Sequence, residues 1–88
     1  MHHLLIYEYV EGMAERRGPY REAHLAQIHE QRNAGHLTLA GALGDPPVAG
    51  AFVFQDAERR HIEAFVADDP YVSAGLVPSY RIEVWNLV

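Results

Sequence analysis

His36-Leu37-Thr38-Leu39-Ala40-Gly41-Ala42-Leu43-Gly44-Asp45-Pro46-Pro47-Val48-Ala49-Gly50-Ala51-Phe52-Val53-Phe54-Gln55 holds two strand-forming runs around a turn. Residues 36–43 and 49–55 carry the apolar and β-branched side chains that suit a pleated sheet. Between them, Gly44-Asp45-Pro46-Pro47 cannot continue either ladder, and a connection this short joins antiparallel neighbours. The stretch therefore predicts a β-hairpin in the middle of the chain. What flanks the hairpin decides the fold.

Upstream, Gly18-Pro19 opens a helix in which Pro19 occupies the first turn, where no amide donor is needed. This helix is expected to run to about Ala34, with Gly35 as its left-handed stop. Before it, residues 1–10 read as a strand, with Leu5, Tyr7 and Tyr9 pointing one way and Leu4, Ile6 and Val10 the other. Residues 11–14 lead out of it. Downstream, Asp56 is suited to cap a second helix whose inner face is Ile62, Phe65 and Val66. That helix stops before Asp69, because a residue preceding proline is pushed out of the helical region. Pro70 to Ala74 form one further turn ended by Gly75, and residues 79–87 form the last strand. The order β-α-β-β-α-β predicts one α+β domain over residues 1–88: the ferredoxin-like split βαβ, an antiparallel four-stranded sheet with helices on one face. No repeat, low-complexity run or linker interrupts it.

Two helices cover only one side of such a sheet, yet both sides are apolar. Phe52 and Phe54 oppose Ala51 and Val53; Ile82 and Val84 oppose Trp85 and Leu87. A wet face would alternate apolar with polar residues. The expectation is a homodimer packed sheet against sheet, a dimeric α/β barrel.

Composition narrows the function. The 88 residues carry a net charge of −5 and no lysine, which disfavours nucleic acid as a partner. No apolar stretch is long enough to span a bilayer, so no membrane role is expected. With no cysteine there is neither disulfide nor CxxC metal site. The start, Met1-His2-His3-Leu4-Leu5-Ile6, has no lysine or arginine and too short an apolar run for a signal peptide. The expected location is the cytoplasm.

Two separated segments carry the candidate chemistry. In Arg21-Glu22-Ala23-His24, the histidine is expected at the edge of the buried stripe Leu25, Ile28 and Arg32, with Arg21 one turn before it. Histidine exchanges protons near neutrality, its ordinary pKa being ~6.5. In Asp69-Pro70-Tyr71, the proline fixes the corner and the aspartate is free to cap the next turn. The same carboxylate, aimed at His24, would fix the ring tautomer and stabilise the imidazolium. The bland alternatives are a core-edge histidine bonded to a carbonyl and an aspartate that only caps. Ser73 is placed to donate to a ligand, and Tyr71 to stack on one or to anchor the corner. No nucleophile-elbow sequence surrounds Ser73 or Ser79. His24 and His29 lie five apart, with no HxxxH or HExxH, so no metal is expected. Gly41-Ala42-Leu43-Gly44 has no phosphate-binding context, and no cofactor is implied.

Taken in order, Arg21-x-x-His24-Leu25, Gly35, Leu37, Gly41, the turn to Gly50, and Asp69-Pro70-Tyr71 with Ala74-Gly75-Leu76 resemble the YCII-related (YciI-like) family. The resemblance covers nearly the whole chain. It implies a dimeric α/β barrel and a cleft in which His24 and Asp69 form an acid–base dyad with Arg21 as neighbour. The chain departs from the family at Ala42, where members often carry proline, and at Ala51, where they often carry a small hydroxyl residue. The function expected from residues and resemblance together is cofactor-free acid–base chemistry of elimination, isomerisation or lyase type on a small cyclic or aromatic molecule. The alternative is a non-catalytic dimeric domain that binds a small molecule or a partner.

Overall fold

A computed structural model describes residues Met1–Val88. Its elements are β1 (His2–Glu8), α1 (Met13–Arg16), α2 (Gly18–Asn33), β2 (Leu37–Leu43), β3 (Ala49–Gln55), α3 (Arg59–Asp68), α4 (Pro70–Ser73) and β4 (Ser79–Trp85). The strands form one antiparallel sheet in the order β2-β3-β1-β4. The predicted hairpin pairs β2 with β3, and β1 enters the sheet between β3 and β4. This is the ferredoxin-like α+β arrangement.

Register sorts the side chains. His3, Leu5 and Tyr7 lie opposite Phe54, Phe52 and Gly50, and Leu5 also lies opposite Ile82. These residues are buried beneath the helices. From above, Phe65 of α3 packs edge-on against Phe52 and Phe54, with ring centroids 5.7 and 5.3 Å away. Ile28, Ile62 and Val66 complete the same core. Burial of each such side chain contributes about 1.5–3 kcal/mol, which a thin 88-residue core needs. The opposite face presents Leu4, Ile6, Ala51 and Val53, with Leu39 at 68 % exposure and Leu43 and Trp85 also exposed. No helix is long and apolar enough to cross a membrane.

Several details differ from the sequence reading. The single turn α1 was not anticipated; Gly12, with φ +74°, starts it, and Met13 plugs into the core. Asp56 does not cap α3; that position is Glu58. Pairing of His2 with Gln55 brings the chain start beside Asp56, whose amide donates to the Met1 carbonyl at 3.1 Å. Asp56 thereby takes φ +52° and closes β3 rather than opening a helix. The inward stripe of α2 is phased differently too. His24 and Ile28 are its buried residues, Gln27 and Gln31 flank them, and Leu25 is 36 % exposed. His24 is thus central to the stripe and not at its edge. The last strand ends at Trp85, before Leu87.

Candidate active site

Asp69 owes its place to the proline after it. Helix α3 ends at Asp68, Asp69 turns extended (φ −73°, ψ 122°), and Pro70 begins α4. The Asp69 carboxylate caps α4, Oδ1 accepting from the Tyr71 amide at 2.9 Å. It also points inward and is fully buried. There it meets two side chains distant in sequence. The Tyr7 hydroxyl, from the middle of the sheet, donates to Oδ2 at 2.8 Å. His24 Nδ1, from α2, lies 2.9 Å from Oδ1 and 3.0 Å from Oδ2. A buried carboxylate is costly unless its oxygens are satisfied, and here three donors converge on it.

A carboxylate can only accept, so a hydrogen bond to it uses the ring tautomer that carries its proton on Nδ1. Nε2 has no hydrogen-bond partner within the chain and is the ring atom left for the cleft that His24 lines. The ring is held on both sides. It stacks on Tyr71 (centroids 3.8 Å, planes 13° apart) and meets the edge of Phe52 at 6.1 Å. An imidazole 5 % exposed, oriented by a carboxylate and clamped by aromatics is preorganised to move a proton at Nε2.

A cleft of about 230 Å³ opens over this ring. Leu25, Ile28 and Phe52 give it an apolar wall, and Ala40, Gly41 and Ala42 of β2 give it a shallow one. Tyr9 and Tyr71 add aromatic surface, and Arg17, Arg21, His29 and Arg32 supply its polar groups. Burial raises the hydroxyl pKa of Tyr9 to about 12, aided by nearby Tyr71 and Asp69 and opposed by Arg17 and Arg21. Burial likewise raises that of Tyr71, against the lowering effect of Arg21 and Arg17. Tyr7 is pushed well above the usual phenol range by burial first and by Asp69 second, so it stays a donor. A second groove, between α2 and α3, is lined by Gln27, Gln31, Glu30, His61 and Asp68 and contains no part of the His24–Asp69 pair.

The structure brings together His24 and Asp69 and places Arg21 and Tyr71 at the cleft. It does not bring Ser73 there. Two positions beyond Tyr71 on α4, Ser73 has rotated by ~200°. Its exposed hydroxyl donates to the carbonyls of Asp69 and Pro70, at 3.3 and 3.4 Å. Ala51 is on the outer sheet face, so of the two departures from the family only Ala42 touches the cleft. The sequence reading missed Tyr7, Tyr9, Arg17, His29 and Arg32. A signal existed for Tyr7: a tyrosine on the inward side of a central strand must satisfy its hydroxyl somewhere.

Sheet, helices and a cleft at the helix–sheet boundary define a ferredoxin-like protein with a small-molecule-sized site. The chain belongs to the YCII-related domain family, whose model matches residues 1–86. No curated protein matches its sequence. Among solved structures, it is similar to 5-chloro-2-hydroxyhydroquinone dehydrochlorinase (TftG) from Burkholderia phenoliruptrix AC1100, solved in complex with 2,5-dihydroxybenzoquinone. The two are 22% identical with a TM-score of 0.79, over 98% of this chain and 94% of that one. Protein SO0527 from Shewanella oneidensis aligns at 18% identity and TM-score 0.60, over 96% of this chain and 86% of that one. An antibiotic biosynthesis monooxygenase aligns at 11% and 0.59, over 100% and 99%. At these identities the likeness is one of fold.

Proposed function

We propose that this protein is a cofactor-free acid–base enzyme acting on a small cyclic, oxygenated molecule by elimination or a related proton-transfer reaction. The observation that carries this is the contact of His24 Nδ1 with both oxygens of a fully buried Asp69, which leaves Nε2 to the cleft. His24 takes a proton from a carbon or hydroxyl next to a carbonyl or enol of the substrate. The electron pair released forms a double bond, and the leaving group departs with its own pair. Asp69 stabilises the imidazolium, and the proton is then returned to product or water. Arg21 pairs with the enolate oxygen that develops. Tyr71 holds the imidazole plane by stacking. The family membership and the dehydrochlorinase activity of TftG support an elimination.

A second copy completes the molecule in this reading. The outer face of the sheet, apolar at Leu39, Leu43 and Trp85 and charged at Arg81 and Glu83 of β4, is what a sheet-to-sheet homodimer would cover. The absence of cysteine suits a reducing compartment and supports a cytoplasmic location.

The test is chloride release from 5-chloro-2-hydroxyhydroquinone, followed with wild type and His24→Ala. The expected loss in the variant is about 10²–10⁴-fold, the usual contribution of a positioned general base. Turnover unchanged in His24→Ala would refute the catalytic assignment.

A further inference from the structure

The arginines of this chain are unevenly compensated. All seven basic residues other than histidine are arginines. Arg59 and Arg60 on α3 are ion-paired with Glu63 and Glu58 at 2.9 and 2.8 Å. The other five, Arg16, Arg17, Arg21, Arg32 and Arg81, form no ion pair, and three of them, Arg17, Arg21 and Arg32, line the cleft over His24. No aspartate or glutamate lines it, and Asp69 is consumed beneath it by Tyr7, Tyr71 and His24. A protein of net charge −5 thus turns three of its seven cations, unopposed, toward one cavity. Arg17 and Arg21 raise the positive potential at one end of the cleft and Arg32 raises it at the other, so an anion entering the cleft is attracted at both ends.

Their spacing says more. Arg21, Leu25, Ile28 and Arg32 follow i, i+4, i+7 and i+11 along α2, within ~40° of one line on the helix surface. Arg21 and Arg32 are separated by ~16 Å along the axis at 1.5 Å per residue. Arg17 joins Arg21 at one end. The apolar wall lies between the two cationic ends, and His24 is beside the first of them. A cleft of about 230 Å³ holds little more than one ring, since about 150 Å³ suffices for benzene.

We infer that the cleft is built for a monocyclic planar dianion with acidic groups on opposite sides of the ring, one held by Arg17 and Arg21 beside His24 and the other by Arg32. This rests on the acid–base reading for the reacting end and adds the charge and shape of the substrate. Arg32 then does no chemistry. It selects ligands that carry a second acidic group at the far end, because a guanidinium offers paired donors that fit a carboxylate or phenolate-type oxygen pair.

The experiment measures binding of terephthalate and benzoate by calorimetry at low salt, to wild type, Arg32→Ala, Arg32→Lys and His24→Ala. Terephthalate should bind wild type at least about tenfold more tightly than benzoate, the usual worth of one charge-assisted contact. Arg32→Ala should erase that preference while leaving benzoate affinity unchanged, and Arg32→Lys should restore part of it. His24→Ala should keep the preference. Equal affinity for the two anions, no binding of either, or an Arg32→Ala variant that keeps the preference overturns the inference. Loss of turnover is read separately. If His24→Ala still turns over substrate while the dianion preference stands, the acid–base reading fails and the dianion site does not.

Discussion

Tyr7 and Asp69, 62 positions apart in sequence, are joined in the buried interior by a 2.8 Å hydrogen bond. The bond ties the centre of the sheet to the corner between α3 and α4. Replacing the donor leaves Oδ2 of a buried carboxylate with one partner fewer. Tyr7→Phe should therefore lower stability by about 1–3 kcal/mol, the cost of an unsatisfied buried group. In a domain of this size each kcal/mol shifts Tm by roughly 4–8 °C, so thermal denaturation measures it directly. A Tyr7→Phe variant that melts with wild type would show that the bond does not hold in solution.

Alkaline pH should unfold the protein by way of its tyrosines. Burial raises the Tyr9 hydroxyl from its ordinary value of 10.0 to about 12, and Tyr7 rises further in the same direction. A folded-state value above the unfolded one means that the stabilising contribution is complete below about pH 10. It is lost as pH climbs through the folded value. Denaturant titrations from pH 9 to 12 should show stability falling across that window, and falling less steeply in Tyr9→Phe.

Asp69 has two duties, and its variants separate them. Asp69→Ala removes the α4 cap and the partner of His24 and should cost about 3–5 kcal/mol, as breaking a buried pair does. Asp69→Asn keeps the shape and can still accept from the Tyr71 amide, so it should lose less. ¹⁵N chemical shifts of the His24 ring should report the Nδ1–H form in wild type and a mixture of forms in Asp69→Asn. If the variant changes melting temperature alone, with turnover and tautomer untouched, the pair only locks α4 against α2.

The outer sheet face makes a fourth expectation. Leu39 is 68 % exposed on β2, opposite half-buried Val53. Sedimentation at micromolar concentration should find a dimer for wild type and a monomer for Leu39→Glu, because a carboxylate would be stranded in an apolar interface. A wild-type monomer would contradict the homodimer.

Much of this molecule was legible in its sequence, and the exceptions have physical causes. The hairpin could be read because Gly44-Asp45-Pro46-Pro47 permits little except a turn. Asp69-Pro70 could be read because proline restricts the residue before it. The phase of α2 was harder. Its inward positions are His24, Gln27, Ile28 and Gln31, so three of the four are polar and bond to groups far away in sequence: His24 to Asp69, Gln27 to the Phe65 carbonyl at 2.7 Å, and Gln31 to His61. An apolar-stripe argument then favours Leu25, which lines the cleft instead. Arg17 and Arg32 could not be assigned, because the spacing of charges along a helix does not say which carboxylates will be near. The Asp56 cap failed because strand pairing brought the chain start against it, a contact at one end of the β1–β3 ladder between residues far apart in sequence, which local preference cannot contain.

One carboxylate fastens a strand, a long helix and a short helix through Tyr7, His24 and Tyr71. Under the proposed acid–base function, assembly and reactivity would draw on the same atoms. A partly folded chain would then have no competent base, since the imidazole acquires its orientation only when all three segments have closed on that carboxylate. Retention of aspartate at this position in other sequences would testify equally to either duty, so a pattern of descent could not by itself tell a working catalyst from an inert descendant that merely kept its shape.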